Sequence, residues 1–305
     1  MQANIQYLKI RSQALQVMRE FFHAQGFIEV ETPIRVPVPA LETHVDAPSA
    51  GSAWLRTSPE LHMKRLLAAG CAPLFQIGSC FREKECGARH NPEFTMLEWY
   101  RLNADYHDIL RDTRELLLHT FASVTGATSF SRQGHCIDLD QPWEVMTVAA
   151  AFECFAGWNP VTNWDENRFE LDLMRKVEPS LPQDKPCVLI DYPAPAAALA
   201  RLKSENPLVA ERWELYLGGM ELANTYSELC DPALQRQRFE NCAATRAALG
   251  KEVYPLDEPF LQAIEKGLPP CAGIALGIDR LTMLLCGADG IQSVRAFAQH
   301  PGELW

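Results

Sequence analysis

Apolar residues recur with helical spacing at Leu8, Leu15, Met18, Phe21 and Phe22, which predicts an amphipathic helix that stops at Gly26. The next segment, Phe27-Ile-Glu-Val-Glu-Thr-Pro33, alternates with period two and predicts a strand closed by proline. Leu74-Phe-Gln-Ile-Gly-Ser-Cys-Phe81 and Phe94-Thr-Met-Leu-Glu-Trp-Tyr100 read as two strands joined by a loop over 82–93. Ile109, Leu110, Leu116, Leu117 and Phe121 mark a helix that closes near Gly126. Between 127 and 207 the pattern is weaker, with a helix expected over Met146–Phe155 and a strand at Cys187–Ile190. Trp213–Leu222 predicts strands around the Gly218-Gly219 turn. Asp231-Pro232 opens a helix that Gly250 ends, and Asp257 to Gly267 repeats that grammar. Gly273-Ile-Ala-Leu-Gly277 is a strand that runs into a helix whose buried face is Leu281, Met283, Leu284 and Leu285. Without a repeat, a low-complexity tract or a linker, the expected organisation is a single domain over 1–305.

Composition narrows the function classes. The chain has 305 residues, 47% of them hydrophobic and 22% charged, as in an ordinary globular protein. No apolar run approaches the roughly 18–20 residues that span a bilayer, and no secretory leader is expected, which predicts a cytoplasmic protein without a membrane role. The ten cysteines form no Cys-x-x-Cys pair, so buried reduced thiols are expected. A net charge of −11 argues against general nucleic-acid binding, which depends on neutralising phosphates.

The chemistry is concentrated in a few places. Arg82 stands where a strand enters a loop, and its planar fork suits a carboxylate or a phosphate. Arg-His-Asn-Pro-Glu-Phe follows at 89–94, with Glu98 and Tyr100 behind it. Glu214 and Glu221 lie on strands either side of the glycine turn, and paired carboxylates facing a triphosphate are a usual way to place Mg²⁺. Asp279-Arg280 falls just inside the start of the last long helix.

Together these segments resemble motifs 1 (about 10–33), 2 (about 74–100) and 3 (about 271–286) of the class II aminoacyl-tRNA synthetases, in their lysyl branch. The resemblance implies an α+β catalytic domain, an antiparallel sheet flanked by helices, in a homodimer. It implies that Arg82 bridges the amino-acid carboxylate and the α-phosphate of ATP, with His90 and Asn91 on the nucleotide and Phe94 stacked on adenine. Arg280 would pack on the far face of adenine and reach the γ-phosphate, and Gly277 would let backbone approach the nucleotide. Glu221 and Leu222 would complete the ATP site. The family pattern Phe-Arg-x-Glu has Lys84 at its glutamate position here, between Glu83 and Glu85. Glu83 and Lys84 are the residues that fall at this nucleotide contact.

The same resemblance assigns substrate groups. Glu98, Tyr100 and Glu228 would surround the side-chain ammonium of a lysine, Ser58 and Glu60 would take the amine nearer the carboxylate, and Asn224 would join Arg82 at the carboxylate. Lysyl-tRNA synthetases carry an N-terminal anticodon-reading domain, and none is expected here because the resemblance to the catalytic domain starts with the first helix. Alanines replace their usual glycines at Ala223 and Ala275. In these respects the chain resembles the elongation factor P lysyl ligase family, GenX or PoxA. Its members activate (R)-β-lysine with ATP and pass it to a lysine side chain of elongation factor P. Ala275 would shape the floor of the amino-acid site. The alternatives are a truncated lysyl-tRNA synthetase that charges tRNA, and a catalytically silent amino-acid-binding regulator, which would be expected to lack Arg82, Arg280 or the metal carboxylates.

Overall fold

The computed structural model describes residues 4–299. They pack as two compact units, the first comprising 4–103, 230–271 and 275–299, the second 104–229 with 272–274. The first unit opens with α1 (Ile5–Ala24), β1 (Ile28–Glu29), the short strands β2 (Arg35–Val36) and β3 (Trp54–Leu55), α2 (Glu60–Ala68), β4 (Leu74–Phe81) and β5 (Glu93–Leu102). The second begins with α3 (Tyr106–Thr125), β6 (Ser129–Arg132), β7 (His135–Asp138), β8 (Glu144–Thr147) and α4 (Val148–Ala156). It continues through α5 (Glu166–Asp172), a π-helical turn over Leu173–Val177 and the single turn α6 (Glu178–Ser180). Strands β9 (Cys187–Pro193), β10 (Leu202–Lys203), β11 (Asn206–Leu217) and β12 (Met220–Ser227) complete it. The chain then returns with α7 (Pro232–Ala248), α8 (Glu258–Glu265), β13 (Cys271–Gly277) and α9 (Ile278–Cys286).

In the first unit β4 and β5 form a long antiparallel pair in which Gln76 faces Glu98 and Cys80 faces Phe94. Helix α1 is capped by the Asn4 side chain on Gln6 N–H, and it buries Ala14, Val17, Met18 and Phe22 at helical spacing. The Phe22 ring stacks on Phe75 at 4.7 Å and meets Phe27 and Trp99 at 5.0 and 5.2 Å, which locks helix to sheet. Asp279, at the start of α9, joins the three motifs. Its buried carboxylate receives Arg11 of α1 at 2.6 Å, Arg295 at 3.1 Å and the Thr95 N–H of β5 at 3.0 Å.

In the second unit β12, β11 and β9 run antiparallel, β8 joins β9 in parallel, and β10 joins β11. Val148, Phe152, Phe169, Val177 and Leu189 form a core on one side of it. On α3, the Asp105 and Asp108 side chains form a reciprocal capping box, and Trp213 Nε1 donates to the Tyr106 carbonyl at 2.6 Å. The mostly antiparallel, helix-flanked sheet of the expected class is present.

Two expected elements need correction. The strand over Phe27–Pro33 is only Ile28–Glu29, paired in parallel with Leu74 and Phe75. Val30 still donates to Phe75, but Thr32 N–H goes to the Gln76 side chain and its carbonyl to Arg56, so side chains satisfy this backbone in place of a ladder. The helix expected over Met146–Phe155 begins at Val148, because Glu144–Thr147 pairs with β9 and Thr147 caps the helix at Ala150 N–H. The cysteines are free thiols, but of these only Cys80, Cys187 and Cys271 are buried, while Cys136 and Cys154 are exposed and the rest half-buried.

One buried cation holds a loop against motif 2. Arg246 of α7 lies over the Tyr254 ring and donates to the carbonyls of Glu42, Val45 and Glu252 and to the Asp46 carboxylate at 2.7 to 2.9 Å. The Asp46 carbonyl in turn accepts Glu83 N–H at 2.8 Å. Arg246→Leu strands several buried acceptors at once and should cost about 3–5 kcal/mol. Urea unfolding measures this, and a loss below about 1 kcal/mol would show that the loop does not depend on it.

Candidate active site

Arg82 closes β4, with its N–H on the Pro92 carbonyl at 2.9 Å. Its guanidinium lies 5.2 Å from the half-buried Phe94 ring and 3.7 Å from Glu85. Lys84 has a left-handed backbone (φ 65°) and points into solvent beside Glu83, at 3.8 Å. Of the two carboxylates flanking Lys84, Glu85 is therefore the one that stands at Arg82. A tight turn joins Gly87 and His90, and His90 Nε2 accepts from Arg280 at 2.8 Å. Burial first, then the Arg280 charge, lower the His90 pKa, so the ring is neutral near pH 7 and can accept that bond. Motif 2 and motif 3 thus present Arg82, His90 and Arg280 within one unit. The α9 N-terminus beside them carries no side-chain cap, which adds the positive end of a helix.

Asn91 differs from its expected role. Its buried amide donates to the Glu93 carbonyl at 2.6 Å and accepts Gln299 N–H at 2.7 Å, so it is engaged in holding the motif 2 loop. Gly277 has φ −77°, a value open to any residue, so its backbone does not require glycine. Ala275 and Gly277 are both half-buried on β13.

Four of the residues expected at the substrate, Ser58, Glu60, Glu98 and Tyr100, also come together within this unit. Arg56, buried, donates to the Thr32 and Ser79 carbonyls at 2.8 and 2.9 Å, and its own carbonyl accepts Phe81 N–H, which fixes the segment leading to Ser58. Ser58 Oγ accepts Glu60 N–H and donates to Glu98 Oε2, each at 3.0 Å. Tyr100 donates to Glu98 Oε1 at 2.6 Å, and Lys64 Nζ meets Glu60 at 2.5 Å. Burial, followed by the negative charge of Glu60, pushes the Glu98 carboxyl up to about 8. Such a cluster of carboxylates, phenol and hydroxyl has the acceptor chemistry that suits a primary ammonium.

The remaining expected residues lie in the second unit. Gly218 and Gly219 turn β11 into β12 with φ 56° and 71°, and across that ladder Glu214 faces Asn224 and Tyr216 faces Glu221. Glu214 accepts from Tyr192 at 2.6 Å, Tyr216 at 2.8 Å and Arg212 at 2.7 Å. Burial and the Glu214 charge raise both phenols well above their ordinary range, and Glu221 adds to this at each. A carboxylate offers about four lone-pair positions, so Glu214 retains one. With Glu221 this is a hard-oxygen set that fits Mg²⁺, which takes one or two carboxylates and completes its shell with phosphate and water. Asn224 Nδ2 reaches Tyr226 at 3.3 Å, while its buried Oδ1 has no donor among the described residues. Leu222 is a core side chain, which leaves its backbone for any ligand contact, and Glu228 is buried at the end of β12.

Lys64, Arg56 and Arg212 escaped the sequence reading. Glu60 and Lys64 are four apart, an available helical ion-pair signal once Ser58-Pro59-Glu60 is seen to open a helix.

The raised Glu98 carboxyl has a consequence for stability. Its ordinary value is 4.5 and its folded value about 8, so the native protein binds more protons than the unfolded chain in that window. Stability of the ligand-free protein should therefore fall as pH rises from about 5 to 8. Glu98→Gln removes the desolvated charge and should stabilise the ligand-free protein at pH 8 by about 1–3 kcal/mol, with little gain at pH 5. Urea titrations at both pH values check this, and an equal loss at each would contradict it.

Comparison with known proteins agrees with this geometry. A family model described as tRNA synthetases class II (D, K and N) matches residues 2–301. The elongation factor P--(R)-beta-lysine ligase of Hamiltonella defensa is 40% identical over 97% of this chain and 95% of its own length. The ligase of the same name from Vibrio cholerae is also 40% identical, over 97% and 96%. That of Photorhabdus laumondii is 39% identical over 97% and 96%. The motif geometry, the family match and these relatives together place the chain in the class II tRNA synthetase family of the aspartyl, lysyl and asparaginyl type.

Proposed function

We propose that this protein is an ATP-dependent ligase that activates (R)-β-lysine, or lysine, as its adenylate and transfers it to a lysine side chain of elongation factor P. The observation that carries the amino-acid half of this reading is the buried Ser58–Glu98–Tyr100 cluster with Glu60, in the same unit as Arg82 and Arg280. The acceptor follows from the names of relatives that align along nearly the whole chain. The silent-regulator alternative is not favoured, because Arg82, Arg280, Glu214 and Glu221 are all retained.

The amino-acid carboxylate attacks the α-phosphate of ATP, the bond to the β-phosphate breaks, and pyrophosphate leaves. Arg82 and Arg280 offset the negative charge that develops there. His90, neutral, holds Arg280 in place through Nε2. Phe94 offers its ring to adenine, and Glu85 takes the nucleotide contact vacated at Lys84. Glu214 and Glu221 would hold Mg²⁺, whose chemistry is to neutralise triphosphate charge and orient the leaving group. Asn224 and Glu228 contribute to carboxylate and ammonium recognition. In the second step the neutral acceptor amine attacks the adenylate carbonyl, an amide forms, AMP leaves, and the adenylate phosphate takes the proton released by the amine. We further propose a homodimer formed around motif 1, where Ile28 and Ile34 are exposed, and a cytoplasmic setting. Among the described residues no helix is long and apolar enough to cross a membrane.

Arg82→Ala should remove pyrophosphate exchange while leaving the circular dichroism spectrum and unfolding midpoint near wild type. Wild-type exchange in the folded variant would remove Arg82 from the chemistry. Incubation with ATP, (R)-β-lysine and each acceptor separately should add one lysyl mass to elongation factor P and little label to bulk tRNA. Efficient tRNA charging with an unmodified factor would reverse the acceptor. Ala275→Gly should shift preference toward α-lysine by roughly tenfold, the effect of a methyl-sized change in a pocket. An unchanged isomer ratio would leave Ala275 as packing alone.

A further inference from the structure

Lys64 is almost fully buried, with 1% of its side chain exposed, and it sits one helical turn beyond Glu60, whose carboxylate it meets at 2.5 Å. Glu98, also buried, stands on the other side of Ser58, and its two oxygens are met by the Ser58 and Tyr100 hydroxyls. The two carboxylates are thus treated differently. Glu60 faces an ammonium, and Glu98 faces neutral donors.

A buried carboxylate with only hydroxyl partners is costly to ionise, so in the ligand-free protein Glu98 keeps its proton. We propose that the substrate amine enters this pocket in exchange for the proton on Glu98, and that Lys64, by taking Glu60, is the positioning residue that confines the exchange to Glu98. This rests on the reading that the pocket receives the substrate amine. The balance is simple. The incoming ammonium keeps its three protons, the Glu98 carboxyl loses one to solvent, and the product is an ammonium–carboxylate pair.

The groups around Glu98 support a single exchange. Helix α2 presents Glu60, which opposes ionisation of Glu98, and Lys64, which favours it. The segment before α2 presents Ser58, and β5 itself presents Tyr100, both favouring the ionised form through hydrogen bonds. From β4 come Gln76, opposite Glu98 in the ladder, and the Cys80 thiol, which burial pushes up to about 12 and which also feels Arg56, Glu98 and Arg82. Among these groups Glu98 is the one with a carboxyl value of about 8, so it changes state near neutrality.

Calorimetry of (R)-β-lysine binding to the full-length protein, in buffers of different ionisation enthalpy, counts the protons released. About 0.9 proton should leave per substrate at pH 7 and about 0.1 at pH 9, and affinity should weaken about fiftyfold between pH 8 and pH 6. Lys64→Met restores the full repulsion of Glu60, so the midpoint of that profile should move to higher pH, and Lys64→Arg should return it toward wild type. A Lys64 that served packing alone would lower the unfolding midpoint and leave the pH midpoint in place. No proton release at pH 7, combined with a hundredfold or greater loss of affinity in Glu98→Gln, would overturn the exchange while keeping the amine site. Unchanged affinity in Glu98→Gln would instead overturn the site assignment on which the exchange rests.

Discussion

The first unit depends on one buried carboxylate. Asp279 collects Arg11, Arg295 and the Thr95 N–H, so the first helix, the motif 2 strand and the motif 3 helix meet on its two oxygens. Removing it would leave two largely buried arginines without their shared counter-charge, a loss of the size usually seen when one partner of a buried ion pair is deleted. Its place in the chain matters as much as its charge. Asp279 precedes Arg280, so the contact that fastens the helix also fixes where Arg280 emerges, and His90 then holds the guanidinium from the opposite side. The placement of Arg280 is in this sense inherited from a structural ion pair.

Three buried carboxylates show how environment assigns different tasks to one functional group. Asp279 is surrounded by cations and serves architecture. Glu214 is held by one arginine and two phenols, an intermediate case in which the carboxylate stays oriented and keeps room for a further ligand. Glu98 meets hydroxyls, and its raised carboxyl marks a place where burial opposes the charge. Asp279 is fully engaged within the protein, Glu214 keeps one position open, and Glu98 is left with a cost of ionisation that neutral hydroxyls do not remove.

Much of this was legible along the chain because local grammar records it. Two hydrophobic segments either side of a polar loop found β4 and β5, proline and aspartate caps found α7 and α8, and the glycine pair found the β11–β12 turn. Arg82 and Arg280 stood out through their neighbours. What stayed hidden depends on contacts between distant residues. Thr32 leaves the sheet because Gln76 and Arg56 satisfy its backbone, and nothing within 27–33 announces that. Arg246 looks like any helix arginine until the loop over 42–46 folds onto it. Asn91 has the right identity for a nucleotide contact, yet both ends of its amide serve the loop. Lys64 is the instructive case, since the four-residue spacing from Glu60 was visible while the burial that makes it consequential was not.

The lysine at the family's glutamate position fits the same logic. A cation placed inward beside Arg82 would repel its guanidinium across a short, partly desolvated distance. The backbone avoids this by taking a left-handed turn at Lys84, which sends its side chain into solvent and brings Glu85 to 3.7 Å from Arg82. A carboxylate thereby stands at Arg82 from one residue further along the chain. Lys84 is tolerated because it faces water, where an ammonium costs little and interacts weakly with Glu83. The turn itself is steadied from outside the motif, by Glu83 N–H on the Asp46 carbonyl and by Arg246 holding Asp46. A departure in the motif is therefore accommodated by a buried arginine more than 160 residues away in sequence, which steadies the turn that directs Lys84 outward.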